Sequence, residues 1–199
     1  FFNALETVIY HLDEPLGDSG VVAQFLVNQL ANGEAKIVYS GQGFDELFFG
    51  YIRNLAAFVL ALHGPEALTA GDKSGRLSPD TRDFFRGWED FLTSMGSHSG
   101  GPAELALFKK LCRFDPLSAA TGLDRDFIKP LRNIAMDTYM KLRATSPTLH
   151  DFMLNAEILI QLPTLLHMED RASMKYSIET RVPFCTAAIL DLARASKVE

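Results

Sequence analysis

Only two cysteines occur in the 199 residues, Cys112 and Cys185. They lie far apart and form no C-x-x-C pair, which argues against both a disulfide framework and a structural zinc site. Basic residues are also scarce: 19 Lys and Arg against 25 Asp and Glu leave a formal net charge of -6. That balance lacks the broad positive footprint of a nucleic-acid or anionic-membrane binder, although a local basic pocket for phosphates stays open. Long hydrophobic runs are missing too. The longest, Leu55 to Leu62 (LAAFVLAL), falls well short of a membrane span. Phe1-Phe2 lacks the basic flank of a signal peptide, and the chain starts without Met, so a piece of a longer gene product is the expectation. The five histidines (His11, His63, His98, His150, His167) never pair at i, i+4, so no metal face is indicated.

What is present is a hydrophobic content of 47%, ample for a core in a chain whose length suits one domain. A soluble cytoplasmic protein with no nucleic-acid or membrane partner is expected. Periodicity predicts helices over Phe2 to Tyr10, Val21 to Leu30, Leu55 to Leu62, Asp80 to Ser94, Ala103 to Leu111, Asp126 to Arg143, Leu149 to Leu162 and Ala187 to Ala195. The single clear strand is Lys36 to Tyr39 (KIVY), which runs into Ser40-Gly41. Gly71 to Ser78 and Met95 to Pro102 read as loops. One strand cannot make a sheet, so its partners are expected outside the chain.

Two short motifs tempt and fail. Gly17-Asp18-Ser19-Gly20 copies the GDSG of serine proteases, but it precedes a helical pattern in which Asp18 or Ser19 is a natural cap. Gly71-Asp72-Lys73-Ser74 has Asp72 where a phosphate-binding P-loop needs Gly, and no strand leads into it. Asp170-Arg171 and Glu179-Thr180-Arg181, taken alone, favour structural ion pairs over catalysis.

Ser40-Gly41-Gln42-Gly43-Phe44-Asp45-Glu46-Leu47-Phe48-Phe49-Gly50-Tyr51 is more informative. A strand end, two glycines and an acidic helix start build a corner suited to a nucleotide. Glycines let the backbone approach a ligand closely, and helix-start N–H groups hold anionic oxygens. Ligands of open α/β sheets bind beyond the carboxyl ends of strands, where Ser40 and Gly41 fall. Asp45 and Glu46 could hold Mg²⁺ against a polyphosphate.

This run resembles the S-G-x-G-x-D-E-(L/V)-F-x-G-Y motif of the glutamine-hydrolysing asparagine synthetase family. Two further segments match that family in the same order: His11 to Gly20 (HLDEPLGDSG), and Asp170 to Met174 with Ser177 to Phe184 (SIETRVPF). The resemblance implies a partial synthetase domain over residues 1–199. Its fold would be a helix-dominated α/β fragment of a parallel-sheet domain like that of the ATP pyrophosphatases (adenine nucleotide α-hydrolase-like). It also implies an ATP-dependent, amide-forming ligase of asparagine biosynthesis. ATP and Mg²⁺ are the implied cofactors, with aspartate, ATP and ammonia as substrates, passing through a β-aspartyl-adenylate.

By the same resemblance Ser40, Gly41 and Gly43 bind the nucleotide, Gln42 and Glu46 occupy catalytic positions, and Asp45 serves the metal. Asp13 and Asp18 line the pocket or cap a helix, and Asp170, Arg171, Glu179 and Arg181 buttress the site. A glutaminase domain and an S-G-G-x-D-S pyrophosphate loop are expected upstream in the parent chain, and a homodimer is allowed. Alone, the 199-residue chain is expected to be inactive. The sequence departs from the family where Gln42 replaces the usual Glu or Asp, since an amide takes no proton near neutral pH. Phe44 replaces a residue that is commonly small. These changes keep open a degenerate, non-catalytic homologue, or a relative that activates another carboxylate, such as a β-lactam-forming or peptide-cyclising synthetase.

Overall fold

The computed structural model describes residues 2–14, 18–64, 67, 79, 103–112 and 124–196. In chain order the elements are α1 (Phe2–Leu12), α2 (Gly20–Ala31), β1 (Ile37–Tyr39), α3 (Phe44–Phe48), α4 (Ile52–His63), α5 (Ala103–Leu111), α6 (Arg125–Ala144) and α7 (Leu149–Ala156). A π-helical turn (Glu157–Gln161), α8 (Leu162–Met174), β2 (Glu179–Arg181) and α9 (Ala187–Ala195) complete the series. The expected helix over Asp80 to Ser94 and the two expected loops lie outside the described residues.

The chain divides into two compact units. The first joins Phe1–Phe48 to Glu157–Ser196, and the second is Phe49–Ala156 with Lys197–Glu199.

The core of the first unit follows from helical spacing. Val8 and Leu12 of α1, Val21, Val22 and Phe25 of α2, and Leu165, Met168 and Ala172 of α8 form one buried cluster. Each set repeats at three or four residues, which puts its members on one helix face. Burying a side chain such as Phe25, only 2% exposed, contributes about 1.5–3 kcal/mol. Asp18 fills the capping role expected before α2: its Oδ1 accepts from the Gly20 N–H at 2.8 Å, while Ser19 makes no side-chain cap bond. His167 of α8 ties to the end of α1 through its Nε2 and the Leu12 carbonyl, 3.1 Å apart.

β1 finds a partner within the chain. It pairs in parallel with β2, in the register Ile37 to Glu179, Val38 to Thr180 and Tyr39 to Arg181. Flanking bonds lengthen the ladder, with Glu179 N donating to Lys36 O and Ser40 N donating to Arg181 O, both at 2.9 Å. The expectation that the sheet partners of this strand lie outside the chain is therefore corrected for β2. β2 reads as charge, Thr, charge, and Glu179 and Arg181 bond to each other at 2.8 Å on its exposed side. No apolar run marks it as a strand.

The helix expected over Leu149 to Leu162 is also redrawn. It widens into the π-helical turn and restarts as α8 with Pro163 in its first turn. Proline has no N–H to give and its ring crowds the carbonyl four residues back, which favours a wider turn just before it.

The second unit packs α4, α5, α6 and α7 around Ala56, Ala57, Leu60, Leu107, Phe108 and Phe152, all buried. Tyr139 bridges Phe108 and Phe152 with ring centroids 5.7 and 5.8 Å away. Thr148 and Asp151 form a reciprocal cap at the start of α7, in which Asp151 N donates to Thr148 Oγ1 at 3.1 Å and Thr148 N to Asp151 Oδ2 at 3.2 Å. The Thr148 hydroxyl bond is the main reason the Asp151 carboxyl titrates below its usual range.

Candidate active site

Ser40 leaves β1 and immediately turns the chain. Its Oγ accepts from Gln42 N at 3.2 Å, the short hydroxyl-to-backbone bond that favours Ser at turns. Gly43 follows with φ +98°, a conformation that L side chains rarely adopt. A Cβ placed at Gly43 would meet Cys185 Sγ at 2.5 Å. Both the backbone and the packing therefore demand glycine there.

Glu46 closes the turn from the first turn of α3. Its Oε2 accepts the Gly43 N–H at 3.0 Å while the side chain is only 2% exposed. The Gly43 N–H is thus committed inside the protein. Gly41 and Asp45 are exposed, and a Cβ at Gly41 would meet nothing within 4 Å. The open surface of the corner therefore lies at Gly41 and Asp45, with Gln42 half-buried between them.

The third motif closes on this turn from the far end of the chain. Cys185 Sγ donates to the Gln42 carbonyl at 3.6 Å. Phe44 stacks near Phe184 and Phe48, with centroids 5.0 and 4.9 Å away. The bulk noted at Phe44 is accommodated by the Val-Pro-Phe segment. Burial, followed by the charges of Glu46 and Glu169, pushes the Cys185 thiol above its ordinary range.

Among the residues flagged as buttresses, Arg171 pairs with Asp13 rather than with its neighbour Asp170; Nη2 and Oδ2 are 3.2 Å apart. Asp13 adopts φ 60°, a left-handed conformation that Asp tolerates better than most residues. This pair joins the first matched segment to the third. Both side chains are partly exposed, so it contributes at most about 1 kcal/mol.

Sequence reasoning passed over Glu169. On α8 it sits seven residues after Leu162, hence on the same face, and Leu162 Cδ1 would lie 3.8 Å from a Cβ at Gly43. The Glu169 carboxyl is half-buried, and burial raises its pKa while the Ser40 hydroxyl partly offsets that rise. Its Oε2 is buried with no hydrogen-bond partner. The one signal in the sequence was a carboxylate directly before Asp170-Arg171.

No group of three His, Cys, Asp or Glu residues is placed to hold a metal ion among the described residues. None of the described helices is long and apolar enough to cross a membrane.

A glycine turn at the carboxyl end of a parallel strand, braced by a buried carboxylate and closed by a distant segment, marks a helix-dominated α/β protein whose candidate site is this strand-end corner. The asparagine synthase family model matches residues 1–199, and the chain belongs to that family. It is 45% identical over 51 residues to the putative asparagine synthetase (glutamine-hydrolyzing) of Mycobacterium tuberculosis strain H37Rv, covering 26% of this chain and 8% of the relative. It is 33% identical over 73 residues to asparagine synthetase (glutamine-hydrolyzing) 1 of Bacillus subtilis strain 168, covering 37% of this chain and 11% of that protein. These matches therefore span only about a tenth of the relatives' length. No solved structure matches the chain significantly.

Proposed function

We propose that this chain supplies one wall of the synthetase site of an ATP-dependent, amide-forming ligase that makes asparagine from aspartate and ammonia. The reading covers residues 1–199 as part of a domain of the ATP-pyrophosphatase type, partnered in the whole protein by a glutaminase domain. The observation that carries it is the Ser40–Gly43 turn at the end of β1, held in place by the third matched segment through Arg181 O and Cys185 Sγ.

An aspartate side-chain oxygen attacks the α-phosphorus of ATP, pyrophosphate leaves, and ammonia then displaces AMP from the activated carbonyl. Ser40 and Gly41 hold the nucleotide at the strand end. Glu46 and Gly43 keep the turn shut, so that the exposed Gly41 edge stays presented to the ligand. The exposed Asp45 carboxylate suits Mg²⁺, which takes few protein ligands and completes its shell with water and phosphate, and the ion would neutralise polyphosphate charge.

Gln42 favours a second reading, a non-catalytic homologue that binds the nucleotide alone. Exchange of labelled pyrophosphate into ATP, measured on the full gene product, separates the two. Aspartate-dependent exchange is expected; no exchange with aspartate or any other carboxylate would sink the ligase reading.

A further inference from the structure

We propose that Glu169 is the proton acceptor for amide formation in this site, doing what Gln42 cannot. The inference rests on the synthetase reading above and deepens it. A neutral amide at position 42 offers no base near neutral pH. A carboxylate on another element reaches the same corner: Glu169 shares a helix face with Leu162, which packs at Gly43, and the Ser40 hydroxyl engages it. Ser40 Oγ in turn accepts from the Gln42 backbone N–H at 3.2 Å, so one hydroxyl links the Glu169 carboxylate to the backbone of the turn that carries Gln42.

Glu169 Oε2 is buried without a partner. Leaving a buried polar atom unpaired is costly, and a proton donor on a bound reactant supplies what it lacks. The ionisable groups that act with it in the corner are the Cys185 thiol and, through that thiol, Glu46; both disfavour extra negative charge. Burial moves the Glu169 carboxyl upward, towards the range where a general base works best. Arg171, two residues on, turns its Nη2 to Asp13 Oδ2 at 3.2 Å, and its Nε is buried without a hydrogen-bond partner.

The step balances. Ammonia adds its lone pair to the acyl-adenylate carbonyl, giving a tetrahedral adduct with an ammonium nitrogen and an oxyanion. Glu169 takes one proton from that nitrogen. The adduct collapses, the carbon–oxygen bond to AMP breaks, and the amide and AMP leave; Glu169 then returns the proton to solvent. Adenylation needs no such acceptor, because a carboxylate is already the nucleophile.

The experiment measures both half-reactions on the full gene product, wild type and E169Q, alongside thermal melting to verify folding. E169Q is expected to keep pyrophosphate exchange within about threefold and to lose ammonia-dependent amide formation by about 100-fold or more. Adding Q42E to E169Q should recover a large part of that loss, which a purely structural role for Glu169 would not allow. Amide formation in E169Q within about threefold of wild type would overturn the proposal. So would a parallel loss of both half-reactions in a folded E169Q protein, since exchange needs no base for ammonia. Absence of exchange in the wild type would instead count against the synthetase reading itself.

Discussion

The two compact units are built on different principles. The second is essentially one continuous stretch, Phe49–Ala156, in which helices pack against other helices of that same stretch. The first joins Phe1–Phe48 to Glu157–Ser196, and its contacts cross the whole chain. All three segments that match the family fall in the first unit apart from the end of the Ser40 to Tyr51 run, which passes into the second at Phe49. Loop-closure entropy makes distant pairing costly, so a site assembled that way depends on α8 and β2 docking correctly. The family-matching segments are thus concentrated where the unit is discontinuous in sequence.

Perturbing each unit in turn sharpens that contrast. The largest effect is expected from Phe25→Ala in the α1, α2 and α8 core of the first unit. Removing a fully buried Phe costs about 3–5 kcal/mol, and denaturant midpoints together with pyrophosphate exchange should both collapse. Next comes Gly43→Ala, which forces a side chain into a strained φ and against Cys185 Sγ. A loss of about 1–3 kcal/mol is expected, with exchange falling further than stability alone explains. A Gly43→Ala protein with normal exchange would break the link between this turn and the nucleotide.

Thr148→Ala acts on the second unit by removing the α7 cap, and should cost about 1 kcal/mol while leaving exchange unchanged. Loss of exchange there would show that the division of labour between the units is wrong. The smallest effect concerns pH. The folded Glu169 carboxyl titrates above its unfolded value, so its neutral form is favoured in the fold. Its contribution is complete below the ordinary glutamate range and is lost as pH rises through the raised folded value. Because the group is half exposed, E169Q should gain less than about 1 kcal/mol at neutral pH and flatten that slope in thermal melts.

Much of this was legible in the chain. The helices at Ala103–Leu111 and Ala187–Ala195 fall where periodicity places them, and α1, α2, α4 and α6 differ from expectation by a few residues at their ends. Their signal is local: apolar residues every three or four positions state which face is buried. The Ser40 to Gly43 turn was legible for a similar reason, since glycines mark backbone conformations other residues avoid. β2 was not, because a three-residue strand with charged ends has no period to detect. The Asp13 to Arg171 pair was missed as well, because charge attraction has no sequence distance built into it, and the nearer Asp170 drew attention.

The sequence by itself determined the family, the helical character and the place of the strand-end corner, because motif order, periodicity and glycine spacing are all written along the chain. Only the tertiary structure decided which groups share that corner. It set Glu46 inside as a brace, seated Cys185 against Gly43 and brought Glu169 to Ser40. Those outcomes depend on how α8 and β2 dock against β1, a balance of packing and hydrogen bonding between segments far apart that no local pattern records.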